Sequence, residues 1–276
     1  MSEELIAPAA RALTAEGVVR AGEGRGRKLR DYAIVIGVHL AVIALWQLAV
    51  DLGGIRSFIL PSPLAMLRTL GRPEYHWLAN SLATAQEVFG GFLLAVVLGV
   101  GLALLFSWSR LFTLVLFPIF VTLNMVPKVA LGPLIIVWFG YGIGPNILIT
   151  FAISFFPVLL NTARGLREVE PELLDLVRAL KGSRWQIFIK IQLPGALPYV
   201  FSGMKVAAIL AIAGAVVGEF IGSERGLGFL MVQVQTSLDT PAMFMAVLLL
   251  TSIGIAVYLI TIGLERLCIV KDARVL

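Results

Sequence analysis

Long apolar stretches alternate with short polar breaks along most of the chain, and this pattern predicts six membrane-spanning α-helices. The stretches cover residues 32–50, 87–106, 111–125, 147–160, 199–221 and 242–264. Apolar runs with few charges are typical of helices that cross the hydrocarbon core of a bilayer. Such helices satisfy their own backbone hydrogen bonds where water is absent. We therefore expect an all-α, polytopic membrane protein.

One apolar segment, residues 124–145, does not have the pattern of a straight helix. Pro127, Pro133 and Pro145 interrupt it, together with several glycines. An interrupted backbone at membrane depth must be buried in protein or line a cavity, because lipid offers no hydrogen-bond partners. The sequence therefore predicts a broken or re-entrant segment between the third and fourth spans.

A charged stretch over residues 168–198 separates the fourth and fifth predicted spans. Acidic residues surround Pro171, and both acids and proline favour the first turn of a helix. Apolar residues follow at helical spacing, and Gly182 is predicted to end this helix. Ser183, with a glutamine three residues later, has the pattern of a capping box for a second short helix, which Pro194 is predicted to stop. We call this pair of short helices the hairpin.

The physical pattern of the hairpin leaves three interpretations open. It is an interfacial connector between two spans, a DNA-binding helix-turn-helix, or a docking element whose apolar face inserts into a groove of a soluble partner. The DNA interpretation is disfavoured, because the hairpin is tethered to the bilayer at both ends and its first helix is acidic.

Composition places the chain among integral membrane proteins. It has 276 residues, of which 59% are hydrophobic and 14% charged, and its mean hydropathy is +0.94. The net charge of +5 then indicates basic loops at one membrane face rather than a nucleic-acid partner. With six spans, the side that holds the hairpin and both termini carries sixteen of the 22 lysines and arginines, and the other side carries five. The positive-inside rule therefore predicts that the hairpin and both termini are cytoplasmic.

The same pattern divides the chain into four parts. We expect a disordered cytoplasmic tail over residues 1–30, the first span and an outer loop over 31–80, a core over 81–265 and a second cytoplasmic tail over 266–276. The first apolar stretch follows a basic flank but lacks a small-residue cleavage site, so we interpret it as a retained span. A cleaved signal peptide is the alternative interpretation.

Chemistry-bearing residues are sparse. With one cysteine and two histidines, a His/Cys metal cluster is not expected. The sequence offers no convergent acid, base or nucleophile for a membrane-embedded enzyme, and no phosphate-binding loop of the form GxxxxGK[ST]. We therefore expect no catalytic residue, no metal and no cofactor on this chain. A passive channel stays open as a second class of function, although a channel would have no use for a docking hairpin.

Polar residues in otherwise apolar helices are the candidates for a solute pathway, because such residues are costly to leave in lipid. Asn124 and Lys128 flank the broken segment. Lys128 either attracts an anion near the outer mouth or extends its amine to the membrane interface. Glu219 falls in the outer half of the fifth span, as a gate or as a buried partner for a helix end.

The hairpin resembles the coupling loop of permease subunits in bacterial ATP-binding-cassette (ABC) importers. The family pattern is Glu-Ala-Ala, three residues, Gly, nine residues, Ile, one residue, Leu-Pro. Lys181 occupies the glycine place of this pattern, and Ile191, Leu193 and Pro194 then follow in register. The chain is thereby identified as a member of the type I importer permeases.

The N-terminal half of the pattern departs from the family. An Asp-Leu-Val triplet stands where Glu-Ala-Ala is expected, and the glycine is displaced by one residue. The stretches SRWQIF, LPGALPY, GSERGLGFLM and PLIIVWFGYG are similar to the subfamily that imports nitrate, sulfonates and taurine. The resemblance implies an ATPase-docking surface made of Asp175, Leu176, Val177, Lys181, Gly182, Ser183, Trp185, Ile191, Leu193 and Pro194.

The resemblance also implies partners and a mechanism. Such a permease works as a dimer with a second copy, in the inner (cytoplasmic) membrane of a bacterium. Two ATP-binding-cassette ATPase subunits, which carry the ATP and Mg, grip the two hairpins, and an extracytoplasmic solute-binding protein delivers the solute. Closure of the ATPases then alternates the access of a central cavity. A small oxyanion or sulfonate such as nitrate, taurine or an alkanesulfonate is the expected cargo, with a vitamin or its precursor, of pyrimidine or flavin type, as the alternative.

Overall fold

The computed structural model describes residues 30–169 and 171–269. The predicted tails, apart from Arg30 and residues 266–269, lie outside the described residues. Every regular element of the described part is helical, so the predicted all-α fold is confirmed. The chain divides into two compact units, with the boundary between Leu67 and Arg68.

The first unit contains one long helix and the start of a short one. Helix α1 covers Arg30–Leu52 and α2 covers Pro63–Arg68. The Gln47 side chain joins them, because its Oε1 accepts a hydrogen bond of 3.0 Å from the Leu64 N–H. This bond satisfies a donor in the first turn of α2 that has no partner within the helix.

The second unit contains nine α-helices among the described residues. They are α3 (Trp77–Trp108), α4 (Arg110–Met125), α5 (Lys128–Phe139), α6 (Ile143–Gly165), α7 (Pro171–Ala179), α8 (Arg184–Ile187), α9 (Leu193–Gly222), α10 (Leu227–Gln235) and α11 (Thr240–Cys268). Two 3₁₀ turns, Thr69–Gly71 and Pro73–Tyr75, precede α3, and a π-helical turn, Phe188–Gln192, joins α8 to α9.

Helices α3, α6 and α9 form the centre of this unit, and small residues bring their backbones together. A Cβ atom at Gly99 of α3 would lie 2.9 Å from the Cβ of Val158 in α6. A Cβ at Gly203 of α9 would lie 2.9 Å from the carbonyl oxygen of Pro157. Larger residues at these positions would force the helices apart, which is why small residues are used where membrane helices pack closely.

The number of spans agrees with the prediction. Among residues 30–169 and 171–269, five helical segments are long and apolar enough to cross a membrane, and α4 with α5 makes a sixth if the bent pair counts as one span. The pair bends by 94° between Met125 and Lys128, where the broken segment was predicted. One side of α5 is packed on protein, since the side chain of Ile221 in α9 fills the space beside Gly132.

The second span is longer than its apolar pattern predicts. The apolar run begins at Glu87, but α3 begins at Trp77, just after His76 adopts a left-handed backbone conformation. The first turns of α3 carry Asn80 and Thr84, which are polar but buried against other elements. The hydropathy pattern therefore places the start of this span ten residues too late, because it treats the buried polar side chains before Glu87 as exposed ones.

Two further boundaries differ from the predictions. The predicted turn at residues 107–110 contracts to Ser109, the one residue between α3 and α4. The predicted loop at residues 222–241 contains α10, whose Leu227 and Leu230 are fully or almost fully buried. A nine-residue helix of this kind is too short to stand out from a long apolar sequence, and its burial on neighbouring helices determines it.

The hairpin also differs in its second helix, which does not stop at Pro194. Helix α8 continues through the π-helical turn into α9, so the helical segment runs from Arg184 to Gly222 without a break. Pro194 lies in the first turn of α9, where proline is tolerated. The wider π-helical turn that precedes Pro194 leaves room for the proline ring, and Pro194 has no N–H to donate to that turn.

Candidate functional site

The hairpin is the first part of the candidate site. Its turn depends on the backbone conformation of Lys181 and on the small size of Gly182. Helix α7 ends at Ala179, and Lys181 adopts the left-handed conformation with φ of 59°. The N–H of Gly182 then donates a 2.9 Å hydrogen bond to the carbonyl oxygen of Val177. The helix was predicted to end at Gly182, but it ends three residues earlier, and the left-handed residue of the turn is Lys181, at the place where the family pattern has glycine.

Gly182 is needed for a different reason, which is space. A Cβ atom at this position would lie 3.0 Å from the carbonyl oxygen of Val177 and would overlap Cγ1 of the same residue. Only glycine allows the chain to pass this close to the end of α7. The displaced glycine of the family pattern is thus explained by a steric contact.

The second helix of the hairpin begins with the predicted capping box. Ser183 Oγ accepts a 3.2 Å hydrogen bond from the Gln186 N–H, and Gln186 Oε1 accepts a 2.8 Å hydrogen bond from the Ser183 N–H. Both bonds satisfy backbone donors that have no partner inside the helix. The start of α8 is therefore fixed relative to the turn.

Aromatic contacts attach the hairpin to the end of α3. Trp108 packs edge-on against Trp185, with ring centroids 5.7 Å apart, and against Phe188, also at 5.7 Å. Beside these rings lies a cleft of about 650 Å³. The cleft is lined by Ser107, Trp108, Leu174, Gly182, Arg184, Ile187, Phe188 and Gln192. We call this side of the second unit the hairpin end, and the side where α3 begins and α9 ends the far end.

The predicted docking residues divide into an exposed set and a partly buried set. Exposed residues are Asp175, Leu176, Lys181, Ser183, Trp185 and Pro194, whereas Val177, Gly182, Ile191 and Leu193 are partly buried. Apolar side chains on α7 and just after it are strongly exposed, with Leu176 at 57% and Leu180 at 74% of their full accessible surface. The hairpin thus presents an apolar face beside a cleft, which is the geometry that a protein partner can fill.

The predicted solute-pathway residues fall in two places. Lys128 Nζ donates hydrogen bonds to the side-chain and backbone oxygens of Asn124, at 2.6 and 2.9 Å, across the bend between α4 and α5. Glu219 lies elsewhere, buried at the far end of α9, and its carboxylate accepts hydrogen bonds from the Thr84 hydroxyl and the Gly228 N–H. The structure therefore brings Asn124 and Lys128 into contact with each other. Glu219 does not join them and bonds Thr84 and Gly228 instead.

Sequence reasoning missed two side chains that accompany Glu219. Glu87 and Asn146 are fully buried, and Asn146 Nδ2 donates a 2.8 Å hydrogen bond to Glu87 Oε1. In the sequence, Glu87 stands at the predicted edge of a span, where a charged side chain is expected to reach the membrane interface. Only the observed start of α3 at Trp77, ten residues earlier, places this carboxyl group inside a membrane helix.

Comparison with known proteins supplies the family. A family model described as "Binding-protein-dependent transport system inner membrane component" matches residues 95–268. A probable ABC transporter permease protein of Haemophilus influenzae is 37% identical over 82% of this chain and 91% of its own length. The riboflavin transport system permease protein RibX of Chloroflexus aurantiacus is 34% identical over 85% of this chain and 88% of its own.

Other relatives are named for different solutes. The formylaminopyrimidine transport permease protein ThiX of Halalkalibacterium halodurans is 30% identical over 78% of this chain and 86% of its own length. Permeases named for aliphatic sulfonates and for bicarbonate are matched as well. The relatives therefore agree on the kind of protein and differ in the transported molecule.

A solved structure supports the fold. The chain matches one chain of the MetNI methionine ABC transporter, in an inward-facing conformation, with a TM-score of 0.53 and 20% sequence identity. The match covers 71% of this chain and 99% of that one. Together with the family model and the relatives, it establishes that this chain belongs to the inner-membrane permease components of binding-protein-dependent transport systems, the type I ABC importers.

Proposed function

We propose that this permease works as a pair of copies whose hairpins dock ATP-hydrolysing subunits, with the hairpin end in the cytoplasm. The observation that carries the proposal is the apolar face formed by Leu176 of α7 and Leu180 just after this helix, both exposed beside the cleft at Trp108. Polar residues would be expected there if the hairpin met only water. An apolar anchor surrounded by polar groups is typical of the centre of a protein interface.

The aromatic contacts supply a path for mechanical coupling. Movement of the hairpin is transmitted to the end of α3 by the Trp108 and Trp185 rings, and to α9 through the unbroken helix from Arg184 to Gly222. A rigid helix carries a displacement along its whole length. ATP-driven movement at the hairpin would therefore reposition two central helices of the permease and change the access of the solute pathway.

Copurification of the ATPase tests the docking. Leu176→Asp and Leu180→Asp each place a charge in the apolar face, and we expect recovery of the ATPase to fall about tenfold or more, since one buried leucine contributes roughly 1.5–3 kcal/mol. Leu238→Asp is the matched control, because Leu238 is also exposed, at 66%, but lies just before α11 rather than in the hairpin. Charge reversal by Asp175→Arg should also weaken recovery. Undiminished recovery from all three hairpin variants would refute the docking.

For the cargo, we propose a small heteroaromatic nutrient of vitamin or vitamin-precursor type. Two of the relatives, at 34% and 30% identity, are named for riboflavin and formylaminopyrimidine, which supports this class. A small anion such as a sulfonate is the second candidate, favoured by the cationic Lys128 beside the bend. Delivery by an extracytoplasmic binding protein accompanies either cargo.

Uptake by cells that carry or lack the permease gene distinguishes the cargoes. Labelled riboflavin, formylaminopyrimidine, taurine and nitrate are offered separately, and we expect permease-dependent uptake of one of the two ring compounds. Lys128→Met serves as the second arm, because it should leave uptake of a neutral ring largely intact and abolish that of an anion. Permease-dependent uptake of taurine or nitrate alone would reject the heteroaromatic class.

A further inference from the structure

A buried polar cluster lies at the far end of the second unit, between three central helices. Its members are Thr84 and Glu87 on α3, Asn146 on α6 and Glu219 on α9, and none of these residues is more than 2% exposed. The hairpin and its partners, at the opposite end, make no use of this cluster. Two buried carboxyl groups in a membrane helix bundle need a physical explanation, because an isolated charge there is costly.

Glu219 has the surroundings of an ionised carboxylate. Oε1 accepts a 2.6 Å hydrogen bond from the Thr84 hydroxyl, and Oε2 accepts one from the N–H of Gly228. The Gly228 N–H belongs to the first turn of α10, where the helix dipole favours negative charge. Both oxygens of Glu219 are therefore acceptors.

Glu87 has different surroundings. Its Oε1 accepts the hydrogen bond from Asn146, whereas Oε2 receives no N–H or O–H from the residues that the structure describes. The Glu87 carboxyl group faces that of Glu219, because Thr84, one turn earlier on α3, bonds Glu219, and Asn146, which bonds Glu87, packs against Gly218 beside it. Two ionised carboxylates cannot hydrogen-bond each other, because neither has a donor.

No positive charge compensates the pair within the described part of the chain. Helix α10 has no titratable side chain, and the charged residue of α6, Arg164, lies near the opposite end of that helix. In the loop after α9, Glu224 and Arg225 are exposed to solvent. The partly buried lysine of α9, Lys205, pairs with Glu265 of α11 at 2.8 Å. Two facing negative charges would therefore repel each other at low dielectric.

We infer that Glu87 and Glu219 form a buried proton-binding site, in which Glu87 carries a single proton on Oε2 and donates it to Glu219. The proton removes one of the two charges and supplies the missing donor. It also gives Glu219 a third hydrogen bond, beside those from the Thr84 hydroxyl and the Gly228 N–H. Carboxyl pairs that face each other share a proton for this reason.

The proton-binding site holds the loop after α9 in place. The N–H of Gly226 donates a 2.9 Å hydrogen bond to Asn80 Oδ1, and the N–H of Leu227 donates a 2.8 Å hydrogen bond to Thr84 Oγ1. Gly226 has φ of 119°, and a Cβ there would overlap the Glu219 carboxyl group. The beginning of α10 is thus bonded to Asn80 and Thr84 of α3 and to Glu219 of α9, which accepts the inferred proton.

Infrared spectroscopy of the full-length chain in lipid nanodiscs tests the inference at neutral pH. A difference spectrum between the unaltered protein and Glu87→Gln should contain the carbonyl band of one protonated carboxyl group, and the band should shift in heavy water. Absence of the band would overturn the inference. Spectra in sodium, potassium and choline salts should be the same. A band that disappears with sodium or potassium would show that a metal cation, rather than a proton, occupies the site.

Thermal unfolding of the same variants supplies an independent test. Gln is a close copy of a protonated Glu, because its amide donates where the proton was, so Glu87→Gln should unfold within a degree or two of the unaltered protein. Glu219→Gln removes an acceptor that serves several donors, and its melting temperature should fall by several degrees. Equal losses in the two variants, or failure of Glu87→Gln to fold, would overturn the assignment of the proton to Glu87.

Discussion

Trp108, the last residue of α3, packs edge-on against Trp185 of the hairpin, with ring centroids 5.7 Å apart and ring planes at 76°. Helix α3 also lines the centre of the second unit against α6. The contact therefore joins the exposed hairpin to one of the three central helices of the second unit. Any force applied to the hairpin reaches α3 at this pair of rings.

Removing the Trp108 ring should uncouple the hairpin from α3. In Trp108→Ala two aromatic contacts are lost, each worth about 0.5–1.5 kcal/mol beyond the area that it buries. We expect the ATPase to copurify normally, because the apolar face of α7 is unchanged, while ATP-dependent uptake falls severalfold. Trp138→Ala is the matched control, since Trp138 on α5 is 68% exposed. A normal uptake rate in Trp108→Ala would contradict this route of coupling.

Opposite outcomes are expected at the two residues of the hairpin turn. Lys181→Gly should stabilise the turn by about 1 kcal/mol, because an L-residue pays roughly that amount to adopt the left-handed conformation. Gly182→Ala should destabilise it, because the added methyl group meets Val177. Hydrogen exchange at the backbone amide of position 182, which bonds the Val177 carbonyl, measures both effects. Equal exchange in the two variants would contradict the steric argument.

The ion pair between Lys205 and Glu265 should contribute strongly to stability as a pair. The lysine amine and the carboxylate are 2.8 Å apart, and the Glu265 side chain is only 6% exposed. Lys205→Met should therefore cost about 3 kcal/mol, because a buried carboxylate is left without its partner. Adding Glu265→Gln should recover most of the loss. Thermal unfolding of the two single variants and the double variant measures the coupling, and additive losses would contradict it.

Reporter fusions test the orientation of the chain. Fusions after Ser109 and after Gly182 lie at the hairpin end and should report from the cytoplasm, because the basic residues concentrate on that side. A fusion after Leu238, in the turn before α11, should report from the opposite side. An extracytoplasmic signal at either of the first two positions would overturn the six-span orientation.

Local interactions made much of this protein predictable from its sequence. The apolar stretches predicted the all-α membrane fold, since a long continuous apolar run satisfies its backbone hydrogen bonds within itself as a helix. The capping box at Ser183 and Gln186 and the break between Met125 and Lys128 depend on neighbours in the sequence, and both are present. The register from Lys181 to Pro194 pointed to the importer permeases, and the comparisons confirm the family.

Long-range packing decided the rest. Whether Pro194 ends a helix depends on the π-helical turn before it, and whether α3 starts at Trp77 depends on what covers Asn80 and Thr84. Glu87 and Glu219 are 132 positions apart, and no local pattern predicts that their carboxyl groups meet. The sequence by itself determined which segments enter the membrane, because that depends on composition. Only the tertiary structure decided which buried polar groups face one another, because that depends on how three helices pack.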